Sequence, residues 1–262
     1  MNTILIFKLL LAHLLGDFWL QPESWVAKKD ERMFAAWQLY VHAFVVAALS
    51  WMAVRDRGFF WFALILFVSH FVIDGLKSWV MKGFEDCCKT AFWVFAIDQV
   101  LHLAVCIGIS SVCMLHKTEC VSLGWLLACG FAFCGTPANV LIKFVMRALG
   151  IQPRGGAENA DSLEHAGACI GTLERWLVLA FALCGHYEAA GLIVAAKSLL
   201  RFTDKQGPRA EYVLVGTLFS LAVATLCAFL LLAFAFRRDV FEDKPAFKVN
   251  VNCIHGCLPA NK

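Results

Sequence analysis

The chain has 262 residues, 60% of them hydrophobic and only 16% charged, with a mean hydropathy of +0.70. Its apolar side chains exceed what a soluble core of that length buries, so a bilayer must supply the missing apolar solvent and a soluble globular fold is excluded. The net charge of +3, with Lys and Arg scattered between apolar runs, excludes a nucleic-acid partner and reports membrane topology instead.

A helix needs about 20 mostly apolar residues to cross the hydrocarbon core, and such runs recur between clusters of charge, Gly and Pro. The expected fold is all-α, a polytopic transmembrane helical bundle of seven to eight spans. The first run, 3–20, carries Lys8, His13 and Asp17. It lacks a basic stretch before it and a small-residue cleavage site after it, so it reads as a retained helix rather than a signal peptide. Further spans are expected at 36–54, 59–80, 92–115, 122–148, 168–184, 187–201 and 211–236. The seventh is the shortest, and a re-entrant segment is its alternative.

Lys28, Lys29 and Arg32 follow the first span, Lys77, Lys82 and Lys89 surround the third connection, Arg147 and Arg154 the fifth, and Arg201, Lys205 and Arg209 the seventh. The positive-inside rule therefore puts the odd connections in the cytoplasm and the N-terminus outside, with Arg237 and Arg238 running against it. The polar connection at 150–166, with Gly155 and Gly156, is the longest interior polar stretch, and the expected organisation is a four-helix membrane half at 1–115 carrying the His and Asp motifs and a second helical half at 116–240. A polar tail follows at 241–262. Most cysteines, among them Cys106, Cys113, Cys129, Cys134, Cys169, Cys184 and Cys227, lie inside apolar runs as small packing residues rather than a disulfide framework.

An Asp, Lys or Arg at mid-bilayer costs about 2.5–3.5 kcal/mol on insertion scales and is retained mainly for a pathway or a site. His13, Asp17 and Gln21 form one stripe on the first helix, Gln38 and His42 on the second, His70, Asp74 and Lys77 on the third, and Asp98 and His102 on the fourth. Asp17 and Gln21 end their helix, His42 lies in the early turns of its own, Asp74 and Lys77 end theirs, and Asp98 opens the fourth. All four stripes are thus expected toward one membrane face, around one polar pocket.

Neutral imidazoles and carboxylates at His-x-x-x-Asp spacing present two donors on one side of a helix and suit Zn, Mn or Fe as divalent ions. His13 with Asp17, His70 with Asp74, the reversed pair Asp98 with His102, and His42 are the expected metal ligands. Asp74, Asp98 and Lys77 are the expected catalytic groups, Lys77 holding an anionic substrate group or serving as a counter-ion. A bound metal would lower the pKa of its water to about 7. The structural alternative is that the same side chains glue helices together through hydrogen bonds, each worth about 1 kcal/mol.

A second charged cluster is expected at the same face from Glu174 and Arg175 opening the sixth helix, Lys197 and Arg201 closing the seventh, and Glu211 and Tyr212 opening the eighth. A salt-bridged network is its structural reading and an anionic head-group site its functional one. Asn139, Lys143 and Arg147 form a stripe beyond Pro137 that a snorkelling basic end explains. Cys253, His255 and Cys257 in the tail are spaced too tightly for a standard structural zinc site. No phosphate-cradling Gly-rich loop, nucleophile elbow or His-Glu-x-x-His is present.

Leu-Leu-Ala-His-Leu-Leu-Gly-Asp-Phe at 10–18, Leu20 with Gln21, His42, His-Phe-Val-Ile-Asp-Gly-Leu-Lys-Ser at 70–78 and Asp-Gln-Val-Leu-His at 98–102 resemble the bacterial membrane proteins of domain-of-unknown-function family 3307. The segments 195–202 and 210–217 also look like its longer members. The resemblance implies a multi-pass protein of the bacterial plasma (inner) membrane and carries no established activity.

Three functions follow. One is a membrane-embedded metal-dependent hydrolase of a lipid-linked or amphiphilic (phospho)ester near the cytoplasmic face, with membrane lipids and a small or lipid-like substrate as partners. The second is a proton- or cation-coupled transporter using the same His and Asp residues. The third is a non-catalytic membrane scaffold. The stripes stop at one depth, which suits a pocket better than a pathway.

Overall fold

The computed structural model describes the backbone of residues 3–83, 88–113, 123–151, 160–202 and 208–242. It describes their side chains except at 160–166, 197–202, 208–211, 213 and 236–242. Every regular element among the described residues is helical: α1 (Thr3–Leu14), α2 (Glu23–Arg32), α3 (Trp37–Val54), α4 (Phe60–Lys82), α5 (Cys88–Val112), α6 (Leu123–Phe133), α7 (Thr136–Ala148), α8 (Ala160–Leu183), α9 (Tyr187–Phe202) and α10 (Pro208–Glu242). Five stretches are long and apolar enough to cross a membrane, with α6 and α7 counted together, and the bent α1–α2 pair raises the number to six.

Large apolar side chains crowd the exterior, and a cluster of polar and charged side chains is buried within the N-terminal helices. Phe44, Trp61, Trp79, Trp93 and Leu192 are more than 60% exposed, whereas His13, Gln38, His42, His70, Asp74, Asp98 and His102 are buried. Such an inversion has no hydrophobic driving force in water and is stable only when lipid replaces the outer solvent. On α4 the exposed Trp61 and Trp79 stand about 27 Å apart at 1.5 Å per residue, close to the hydrocarbon thickness, as amphipathic indoles at two interfaces should.

α1 packs against α3, α5 and α6 and is the axis of the N-terminal helices, while α8 and α10 pack together beside α7 and α9. Leu5, Leu9, Val54, Phe59, Leu66 and Ile109 close the half of the N-terminal bundle farthest from α2. Leu126, Leu179, Ala228 and Leu231 form the second apolar core.

Three departures from the sequence expectation have local causes. The first span ends in a π-helical stretch, Leu15–Trp19, in which the Leu20 amide reaches back to the Leu15 carbonyl at 2.9 Å. Pro22 then stops the helix, and the chain turns by 86° into α2, whose ten residues include six charged ones. The sequence reading took this segment as a basic connection. The expected span at 122–148 is broken at Cys134–Gly135, and α7 restarts with a Pro in its first turn, where no intrahelical N–H is lost. Finally α5 begins at Cys88, so Asp98 sits about three turns inside its helix rather than opening it.

Candidate metal centre

Each donor is placed by a different helical accident. Gly16 lets α1 approach α3 closely, since a Cβ there would overlap the Val46 side chain. That contact sits beside Asp17, which the π-helical stretch carries, a distortion common at functional sites. His42 lies in the second turn of α3, His70 and Asp74 one turn apart on α4, and Asp98 and His102 one turn apart on α5. The i, i+4 spacing points both members of each pair inward.

Four donor atoms converge. His70 Nε2 lies 3.0 Å from His42 Nε2 and 3.2 Å from Asp17 Oδ1, and His42 Nε2 lies 3.4 Å from Asp17 Oδ1 and 3.5 Å from Asp74 Oδ2. The edges of a tetrahedron with metal–ligand bonds of about 2.0–2.1 Å measure about 3.3 Å, so these separations are those of ligands around one ion. Asp17 Oδ1 is buried with three imidazoles inside 3.5 Å, yet it accepts no hydrogen bond of acceptable geometry.

The residues on α5 extend the cluster. His102 Nε2 is 3.5 Å from Asp74 Oδ1 and 3.4 Å from Asp98 Oδ1. Its ring stacks on His70 with centroids 4.1 Å apart, and His13 lies edge-on at 4.9 Å from His102. His13 Nδ1 is 3.5 Å from Asp17, and its Nε2 meets the Gln99 amide oxygen at 3.3 Å. The six expected His and Asp residues of the three pairs, together with His42, therefore form one continuous centre. A cavity of about 10 Å³, close to the room one water needs, is lined by His13, His70, His102, Ser50 and Ser69.

Two lysines close the opposite side. Lys77 donates to Asp98 Oδ2 at 2.9 Å, as does the Gln99 amide at 3.0 Å, leaving Oδ1 to face His102. Lys29, buried on α2, donates to Asp74 Oδ2 at 2.5 Å. Its neighbour Asp30 accepts from Ser78 at 2.8 Å. Three buried carboxylates against two ammonium groups leave one negative charge when the imidazoles are neutral, a balance that attracts a cation.

Lys29, Asp30 and Gln99 were missed as site residues. Lys29 was counted only as a topology charge, although Trp25, Val26, Lys29 and Met33 share the helical spacing of an inward stripe. Gln21 and Gln38, on the expected stripes, each retain a buried polar atom without a hydrogen-bond partner. Along their helices Asp74 and Asp98 lie about 8 Å from the level of the exposed Trp79 and Trp93, and His70 and His102 about 14 Å from it.

Of the second expected cluster, the described Glu174 and Arg175 lie well inside α8 rather than opening it. Arg175 sits in the body of α8, buried, and its guanidinium fills the α6–α7 break. It donates to the Cys134 carbonyl at 2.7 Å, Ser220 Oγ at 2.8 Å, Thr172 Oγ1 at 3.1 Å, the Gly135 carbonyl at 3.3 Å and Asn139 Oδ1. Freed carbonyls at a helix C-terminus are natural partners for this cation. The side chains of Lys197, Arg201 and Glu211, and the Cys253, His255 and Cys257 tail motif, lie outside the described residues.

Residues 5–125, the part of the chain that contains the whole centre, match the family model described as Protein of unknown function (DUF3307). The match ends before the segments at 195–202 and 210–217. No curated protein and no solved structure matches the chain.

Proposed function

We propose that this membrane protein is a metal-dependent hydrolase acting on a lipid-linked or amphiphilic ester or phosphoester, its α2 side facing the cytoplasm of a bacterial plasma membrane. Asp17, His42, His70 and Asp74 hold a divalent cation, zinc, manganese or iron. The observation that carries the reading is the convergence of these four donors at ligand-to-ligand distances around a buried carboxylate oxygen with no hydrogen bond. A cation bound there polarises a phosphoryl or carbonyl oxygen and acidifies water.

The surrounding residues supply the rest. His13, oriented by Gln99 and Asp17, borders the water-sized cavity and is placed to accept a proton from water held there. Lys77, partly exposed, and Lys29 lie on the α2 side, from which an anionic head group would enter. The far half of the N-terminal bundle is an apolar core, which supports a one-sided pocket over a transport pathway. The test is hydrolysis by detergent-purified protein of a panel of fluorogenic amphiphilic phosphoesters and carboxylic esters. Turnover that chelator abolishes, metal restores and Asp17→Asn lacks is expected. Turnover indifferent to chelator, or equal in Asp17→Asn, would overturn the assignment.

A further inference from the structure

The four-donor site leaves Asp74 Oδ1, Asp98 Oδ1 and His102 Nε2 unused, and these three atoms define a second set. His102 Nε2 is 3.5 Å and 3.4 Å from the two oxygens, and the three side chains are 4% exposed or less. Asp98 Oδ1 and His102 Nε2 are both buried without a hydrogen-bond partner. An imidazole donating to a carboxylate directs its N–H at one oxygen. Here the nitrogen stands almost equidistant from two oxygens, the spacing that ligands of a common ion adopt.

Asp74 connects the two sets, its Oδ2 facing His42 and its Oδ1 facing His102. The other oxygen of Asp98 is fixed by Lys77 and Gln99, an outer shell of the kind that orients metal ligands. The Lys29 bond on Asp74 Oδ2 is compatible with a ligand role, because a carboxylate oxygen has two lone pairs.

Resting on the metal-dependent reading above, we infer that the centre is dinuclear: Asp74 bridges one divalent cation held by Asp17, His42 and His70 to a second held by Asp98 and His102, and the substrate is a phosphoester. Paired ions about 3.5–4 Å apart hold the attacking and leaving oxygens of an in-line displacement at phosphorus. In that step the water oxygen bonds to phosphorus as the P–O bond to the alcohol breaks. One water proton ends on the departing alkoxide, and the other is released through His13 to solvent. The products are the free alcohol and the phosphate left on the second fragment.

The experiment loads chelator-stripped full-length protein in detergent with Mn²⁺ and reads stoichiometry and the electron paramagnetic resonance spectrum. Two Mn²⁺ per chain with an exchange-coupled multiline signal are expected, falling to one ion and an uncoupled six-line signal in Asp98→Asn/His102→Gln. Should that variant not fold, Gln99→Leu, which removes the uncharged clamp from Asp98, is expected to weaken the second ion alone by about 10–100-fold. Inorganic phosphate at millimolar concentration is expected to alter the coupled signal, and its indifference to phosphate would overturn the substrate class. One ion in both parent and variant would overturn the second site while leaving the single-metal hydrolase standing. No Mn²⁺ in either protein would overturn both.

Discussion

Lys29→Met isolates the electrostatics of the centre. The Lys29 ammonium and the Asp74 carboxylate are each 5% exposed or less, and the substitution keeps the length of the side chain while deleting its charge. Removing one partner of a buried ion pair leaves an uncompensated charge and costs about 3–5 kcal/mol. In metal-free protein the variant is therefore expected to unfold with that loss of stability, read by denaturant or thermal unfolding in mild detergent. Asp74→Asn in the same background removes the orphaned charge and should recover most of the loss. A divalent cation at 100 times its Kd should return about 2.7 kcal/mol by binding only the folded state, and it should bind more tightly than in the parent because the competing ammonium is gone. Lys29→Met protein as stable as the parent within about 0.5 kcal/mol, with no response to metal, would refute the reasoning.

Asp17→Asn keeps the shape of the side chain and deletes the shared ligand, so loss of bound metal with an unchanged elution profile is expected on size exclusion with elemental analysis. Gly75→Leu places side-chain atoms where the Phe34 ring packs against α4, and overpacking of this kind costs about 1–3 kcal/mol. Limited proteolysis should show the α2–α3 link opening first, and an unchanged cleavage pattern would count against that contact. Arg175→Met leaves the Cys134 and Gly135 carbonyls at the helix break without their guanidinium. A loss of about 2–3 kcal/mol in stability, with metal content unaltered, is expected, and a matching loss of metal would show that the two buried clusters are coupled.

The spacing of His13 with Asp17, His70 with Asp74 and Asp98 with His102 made one polar face per helix legible, because i, i+4 pairs need only helical geometry. The all-α membrane class was legible for the same reason: apolar length is a local property. What the sequence could not show was set by non-local contacts. Lys29 belongs to a polar segment that any loop count assigns to the aqueous phase, and only the 86° turn after Pro22 brings it over Asp74. Arg175 looked like a helix-end charge until the α6–α7 break supplied carbonyls to hold it. The depth of Asp98 was misjudged because the N-terminal turns of α5, with Lys89 and Thr90, read as a connection rather than as helix.

The central claim is that the His and Asp cluster is a metal centre. Its most direct test is elemental analysis of protein purified in mild detergent without chelator, beside an Asp17→Asn/His70→Ala/Asp74→Asn variant that elutes as a folded species. Stoichiometric zinc, manganese or iron in the parent and none in the variant is the predicted result. Equal and negligible metal in both proteins would contradict the account and leave the cluster as an ion-paired polar core between four helices.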